Sequence, residues 1–491
     1  MKANRVPEEF FFLDRAQNRS LQGQIREAIV SAVLAGQLLP GAQLPSTRKL
    51  AKHLGVSRLT ITLAYQELVS QGYLSTSARS AFAISETAPI PQLADEPHAQ
   101  EGGGIDWEAK LSDSLMDRRK IDKPHDWRTF PFPFIYGQMD MTLFDHGAWR
   151  DCARRALGRR DFEDMAGDAA AADDPMLVNY ICSRTLPRRG ISAKPAEILV
   201  TVGAQNALWL TIQLLTKNST HAVCENPGYP DITTSLHWNG ARVTPVDVDQ
   251  YGLRTDCLPS GVDLVFVTPS HHAPTAVTMP MSRREALLTA ADADDFLVVE
   301  DDYEFEMSFL TPPSPALKSL DRSGRVIYVG SFSKALFPGL RLGYLVGPEP
   351  FIREARQLRS LMLRHPPGHQ QRTAAYFLAL GHYDSLVRNM RRVFAERRQI
   401  TTDALEREGL EISSAASFGG TNLWVKGPDG LCSLRLADDL RHDGVLIEPG
   451  TPFFDNRREP IQFFRMAYSS IPAGKIEEGV ERVAKRLRAY S

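Results

Sequence analysis

Apolar residues recur every four positions in SLQGQIREAIVSAVLAG, residues 20–36. Leu21, Ile25, Ile29 and Val33 fall on one face and predict a helix. Two prolines and a glycine in LPGAQLPS interrupt the pattern. STRKLAKHLGV then opens on Ser46, an N-cap candidate, and sets Leu50 and Leu54 on one helical face. Gly55 supplies a turn, and SRLTITLAYQELVSQGY follows with Ser57 as its own N-cap candidate. YLSTSARSAFAIS alternates weakly, as a short hairpin does. A helix, two short helices across a glycine turn and a trailing hairpin describe a winged helix-turn-helix over residues 14–85. Ser57, Arg58 and Thr60 open the expected reading helix and are offered to a groove, while Ala64 and Leu68 lie on its packing side.

The texture then changes twice. Residues 86–128 carry prolines, a GGG and many charges, and read as a flexible linker. Beyond it, ILVTVGAQNALWLTIQLL (198–215) is a strand, a glycine turn and a helix. GVDLVFVTPSHHAPTAV, DFLVVEDDYEFE and RVIYVGSFSKALFPGLRLGYLVGP contain short apolar runs rich in β-branched residues. Strands alternating with helical stretches predict an α/β domain over 129–491 with a mainly parallel sheet. From about residue 385 a smaller α+β subdomain is expected.

Charge and composition narrow the setting. Residues 1–85 hold ten Lys/Arg against five Asp/Glu, and 86–128 hold six against ten. A basic head before an acidic segment hints at an anionic partner for the head. No apolar run approaches the ~18 residues of a bilayer span, and MKANRVPEEFFF lacks the apolar core of a signal peptide. The five cysteines are scattered without a CxxC pair. They argue for a reducing cytoplasm and against structural zinc or a disulfide framework.

Polar residues gather where each apolar run ends, at the carboxyl ends of strands where α/β sheets bind ligands. Gly203, Ala204 and Gln205 open a helix whose N-terminal N–H groups suit a phosphate. Glu300, Asp301, Asp302 and Tyr303 follow FLVV, and consecutive acids there are costly to bury without a cation. Ser331, Ser333 and Lys334 follow VIYVG, with Arg341 beyond. Hydroxyls and an arginine fork suit a phosphate, and a lysine of lowered pKa suits imine chemistry.

The head resembles the GntR family, whose winged helices carry LPSxRxLAxxLGVSRxTVxxAYxxL. Leu44, Pro45, Ser46, Arg48, Leu50, Ala51, Leu54, Gly55, Val56, Ser57, Arg58, Thr60, Ala64, Tyr65 and Leu68 match. The resemblance implies a DNA-binding domain in which Arg48 and Arg58 contact DNA. The family's wing tip carries glycines, whereas this one reads SARSAFA.

The larger region resembles fold-type I pyridoxal-phosphate (PLP) aminotransferases through TVGAQNAL, ENPGYP, EDDYEFE and GSFSKALFPGLRLGYLVGP. The resemblance implies that Lys334 forms the Schiff base with PLP and that Asp301, rather than Asp302, pairs with the ring nitrogen. It implies that Tyr303 reaches the phenolic oxygen and that Tyr229 stacks on the ring. Gly203, Ala204, Gln205, Ser331, Ser333 and Arg341 would hold the phosphate. Arg465 stands where the family grips a ligand carboxylate, or where it makes a structural salt bridge. Departures are visible. HHAPTAV has Ala273 at the position of the usual asparagine, which leaves His271 or His272 as a substitute or as core residues. MAGDAAAADDPMLVNY alters the YGDPxGxxxLR segment that often reaches the neighbouring subunit. Asp231 either lies near the ligand or is solvated.

The two halves in one chain resemble the MocR family of bacterial transcription factors. That resemblance implies a cytoplasmic, head-to-tail homodimer that binds a double-stranded DNA operator and senses an amine-bearing effector through an aldimine on PLP. An active aminotransferase carrying a DNA-binding head is the alternative.

Overall fold

A computed structural model describes residues 5–15, 19–76, 81–89, 105–111, 115, 118–414, 418–455 and 461–490. The chain divides into two compact units, Met1–Asp113 and Ser114–Ser491.

The smaller unit is a winged helix. Helices α1 (Leu21–Leu34), α2 (Thr47–Leu54) and α3 (Arg58–Ser70) precede an antiparallel pair, β1 (Leu74–Thr76) and β2 (Phe82–Ile84). Ile25, Ile29 and Val33 of α1 pack with Leu50, Ile61, Tyr65 and Leu68 in a single core. Both expected caps form, with Ser46 Oγ accepting from Lys49 N at 3.3 Å and Ser57 Oγ from Thr60 N at 3.1 Å. Gly55 takes the left-handed conformation, φ 62°, that ends α2. The four tip residues 77–80 of the SARSAFA wing lie outside the described residues.

The larger unit is built on an eight-stranded sheet. Its strands are β3 (Ile198–Thr201), β4 (His221–Asn226), β5 (Arg242–Asp249), β6 (Gly252–Leu253), β7 (Leu264–Val267), β8 (Leu297–Asp302), β9 (Val326–Ser331) and β10 (Gly343–Val346). The order is β3-β10-β9-β8-β7-β4-β5-β6. Strands β9, β8, β7, β4 and β5 run parallel, and β10 is antiparallel to both its neighbours. Alternation divides each strand between two cores. Ile198, Val200, Tyr328 and Tyr344 face one helical layer, and Leu199, Ile327, Val329 and Leu345 the other. The sheet is therefore covered on both sides, and ligands can reach it only at its strand ends.

Beyond the long helix His382–Arg407 comes a small antiparallel sheet, β11 (Glu411–Ile412), β12 (Asn422–Lys426), β13 (Glu448–Pro449) and β14 (Phe463–Ala467), in the order β11-β12-β14-β13. Its register sets Arg465 opposite both Glu448 and Trp424.

Buried ion pairs tie the large unit together. Arg189 and Asp302 both have fully buried side chains, and Nε lies 2.7 Å from Oδ2. Arg189 also donates to Ser270 Oγ and Ser314 O, and the Tyr328 hydroxyl donates to Asp302 Oδ2, while Asp302 Oδ1 has no hydrogen-bond partner. Asp173 accepts from Arg356 at 2.8 Å and from Arg359 at 2.5 Å, and Asp174 caps its helix while accepting from Arg372. The altered MAGDAAAADDPMLVNY segment is thus anchored in the frame of this chain. Replacing Arg189 by Met would leave Asp302 buried and unpaired. The expected loss is about 3–5 kcal/mol of unfolding free energy, measured by denaturant titration of the wild type and variant.

Candidate functional site

The strand ends of the large sheet open into a cavity of about 350 Å³. Of the residues singled out in the large domain, Ala204, Gln205, Tyr229, Asp301, Tyr303, Ser331, Ser333, Lys334, Arg341 and Arg465 line it. Gly203 sits just behind, at φ 77°, where an added Cβ would lie 2.9 Å from Arg341 Nη2. Only glycine combines that backbone with that approach. Arg341 itself adopts φ 52°, uncommon for a side-chain-bearing residue. Its guanidinium is thereby brought against the first turn of the helix Gly203–Leu215. Ser331 and Ser333 join it from the end of β9. These groups make a cradle of hydroxyls, one guanidinium and a helix N-terminus, which suits an anion.

Three consecutive carboxyl groups at the end of β8 have different fates. Glu300 accepts from the backbone N–H groups of Leu317 at 2.8 Å and Lys318 at 2.7 Å. Burial alone would raise the pKa of Asp302, yet Arg189 and the Tyr328 hydroxyl hold it below the usual range. Asp301 points the other way, into the cavity, and its buried Oδ1 has no hydrogen-bond partner. Burial, with Asp302 adding to it, pushes the Asp301 carboxyl up to about 7.

Lys334 faces Asp301 across the same cavity. Its ammonium lies 4.2 Å from the centre of the Tyr136 ring. Burial lowers its pKa to about 7, with Lys123 and Arg465 opposing its charge and Glu304 and Glu448 favouring it. Such a lysine supplies a neutral amine near neutral pH.

Arg465 pairs with Glu448 and also faces the cavity. Nε donates to Glu448 Oε2 at 2.6 Å, so it is a structural ion pair. It also lines the cavity, between the rings of Tyr136 at 4.2 Å and Phe453 at 4.8 Å. Asp231 lines the cavity too, and its Oδ2 accepts from the Tyr229 hydroxyl at 3.0 Å. That hydroxyl also lies 2.9 Å from Gln205 Oε1, which fixes the Tyr229 ring. Ala273 reaches the cavity, whereas His271 and His272 are buried behind it. His272 Nδ1 pairs with Thr275 Oγ1 at 2.7 Å, while neither ring nitrogen of His271 has a hydrogen-bond partner.

In the winged helix Ser46, Arg48, Ser57 and Arg58 are exposed and Thr60 is half-buried. Arg58 Nε donates to Thr47 Oγ1 at 3.2 Å, which braces α3 against α2.

Two family models match the chain. Residues 175–483 match aminotransferase class I and II, and residues 21–84 match the bacterial regulatory proteins of the gntR family. The chain is 50% identical to the HTH-type transcriptional regulator TauR of Rhodobacter capsulatus, over 98% of this chain and 100% of that one. It is 33% identical to the probable rhizopine catabolism regulatory protein MocR of Rhizobium meliloti, over 97% and 96%.

The chain belongs to the MocR family.

The large unit of this MocR-family chain also superposes on LysN, the α-aminoadipate aminotransferase of Thermus thermophilus. The TM-score is 0.71 at 25% identity, covering 78% of this chain and 99% of that one. That structure is complexed with N-(5'-phosphopyridoxyl)-L-leucine. Several lining residues of the MocR-family cavity have no motif to announce them. Tyr136 and Phe453 stand in apolar stretches, and Arg118, Lys120, Ile121 and Lys123 belong to the segment read as linker. Gly137, at φ 71°, lets two lysines close in, since an added Cβ would lie 2.5 Å from Lys334 Nζ and 3.4 Å from Lys123 Nζ. A basic cluster inside an otherwise acidic stretch was the one available signal.

The folded pKa of Asp301 lies above its unfolded value, so its cost to stability grows as pH rises from about 4 and is complete above about 7. Asp301→Asn removes that titration. In protein dialysed free of small ligands, the variant should be more stable at pH 8, by on the order of 2–4 kcal/mol. Most of that gain should disappear by pH 5, as read by denaturant midpoints.

Proposed function

We propose that this protein is a PLP-dependent transcriptional regulator whose large domain senses an amine-bearing effector and whose winged helix binds an operator. The observation that carries the reading is the buried Asp301 carboxyl, whose Oδ1 has no hydrogen-bond partner, facing a buried lysine of lowered pKa across one cavity. An unpaired buried acid calls for a cationic or proton-bearing partner. The pyridine nitrogen of PLP is such a partner, and the residues present fit the whole cofactor.

Lys334 would carry the cofactor through its ε-amine. Asp301 would keep a proton on the ring nitrogen, and Tyr303 would stand at the phenolic oxygen. Tyr229, held by Asp231 and Gln205, would cover the ring. Ser331, Ser333, Arg341 and the N–H groups of Gly203, Ala204 and Gln205 would take the phosphate. When bound, PLP supplies an aldehyde carbon that exchanges one amine for another. The burial of Lys334 would favour the neutral amine that such a carbon requires. Arg465 would meet an acidic group on the effector. The effector shifts DNA affinity only through contacts that differ between the two states. Head-to-tail dimers in the cytoplasm would present two winged helices to two half-sites.

The reading as a working aminotransferase is less favoured. Relatives matching nearly the whole chain are named as regulators, and a DNA-binding head serves no transamination.

Purified protein should show visible absorbance, and borohydride followed by peptide mass mapping should place the cofactor mass on Lys334. Lys334→Ala should be colourless and lose effector-dependent change in operator binding. A colourless variant that still responds normally would overturn the proposal. Arg48→Ala should weaken operator binding about tenfold or more while leaving the absorbance unchanged, as measured by fluorescence anisotropy at fixed salt.

A further inference from the structure

The charge of the cavity is lopsided. Six basic side chains line it, Arg118, Lys120, Lys123, Lys334, Arg341 and Arg465, against the two acids Asp231 and Asp301. In the proposed function Arg341 and Lys334 are assigned to the cofactor. The remaining positive charge collects where the segment around residues 118–123 meets β13 and β14. There a single carboxylate serves two cations. Glu448 Oε2 accepts from Arg465 at 2.6 Å, while Glu448 Oε1 has no hydrogen-bond partner and lies 3.7 Å from Lys123 Nζ. The Lys123 ammonium also donates to the Tyr136 carbonyl. Lys123 and Arg465 both face the Tyr136 ring, at 5.8 and 4.2 Å. Lys334 lies over the same ring at 4.2 Å. Glu304 accepts from Thr421 and stands nearby. Partly desolvated cations in excess over their counter-ions attract an anion.

Lys123 differs from the other contacts in where it comes from. It follows soon after the boundary between the two compact units, at Asp113 and Ser114. Its segment is fastened by Arg119, which donates to Phe454 O at 2.6 Å and pairs with Asp455 at 2.7 Å. The neighbouring Phe453 packs on Arg465.

We propose that Lys123 is a second contact for the acidic group of the effector, completing with Arg465 an anion subsite that belongs half to the segment leading to the winged helix. The effector is then an amine that also bears an acid group. Its acid holds the segment through Lys123 while its amine engages the cofactor. The inference rests on the cofactor reading and names the specificity of that same site.

The test uses full-length, cofactor-loaded protein and acetate as the probe, with neutral acetamide as the control, at constant ionic strength. The readout is the pH midpoint of the cofactor's visible absorbance. Acetate should raise the midpoint saturably in the wild type, because an anion near Lys334 favours its protonated form. Acetamide should not. In Lys123→Gln half-saturation should weaken about tenfold or more, and Lys123→Arg should restore most of it. Equal half-saturation in wild type and Lys123→Gln would overturn the inference, as would a coloured wild type that ignores acetate or answers acetamide equally. A colourless wild type would instead remove the cofactor reading and this one with it. Should Lys123→Gln lose the cofactor, labelling of the wild type with N-hydroxysuccinimidyl acetate decides. Added acetate should protect Lys123 and not Lys120, and equal protection would refute the subsite.

Discussion

Three adjacent carboxyl groups at the buried end of one strand set the terms for the large domain. A strand turns successive side chains to opposite faces, so Glu300 and Asp302 must be satisfied on one side of the sheet and Asp301 on the other. On the first side the protein provides a helix N-terminus for Glu300 and the buried guanidinium of Arg189 for Asp302. On the second it provides nothing for Asp301 Oδ1 within hydrogen-bonding reach. Asp302 Oδ1 also lacks a hydrogen bond, but its other oxygen is held by Arg189 and Tyr328, whereas Asp301 opens on the cavity, so one face is frame and the other a receptive site. The fully covered sheet confines that site to the strand ends, where Lys334 and the anion cradle also arrive.

The register makes this convergence reproducible. Asp301 pairs with Val329, Ser331 with Gly343, and Gly343 with Thr201, so the ends of β8, β9, β10 and β3 come level. Because β10 runs antiparallel to β9, Arg341, two residues before β10, returns to the same edge. Glycine at 203 lets that arginine lie on the helix turn.

Much of this was legible in the sequence because the chemistry sits in short local motifs. Lys334 with its flanking serines and Arg341 fall within a dozen residues, and the winged helix announced both its caps and its packing face. The choice of Asp301 over Asp302 needed the neighbours, since alternation separates the two faces without saying which one is open. His271 and His272 looked chemical by residue type, but their burial behind Ala273 makes them core. Arg465 was left between two roles, and its place opposite Glu448 allows both. Tyr136, Gly137 and Lys123 were not legible at all. They come from apolar or charge-rich stretches without periodicity, and only the fold brings them beside Lys334. The composition of 86–128 suggested a linker throughout, yet Arg119 and Lys123 are bonded to the large unit.

That attachment has a geometric consequence. In the sequence 34 residues separate Ile84, the end of the wing, from Arg119. Even fully drawn out they span at most roughly 120 Å. The clasp at Arg119 therefore sets the length of chain between the wing and this point of the large unit, and losing it would lengthen that stretch.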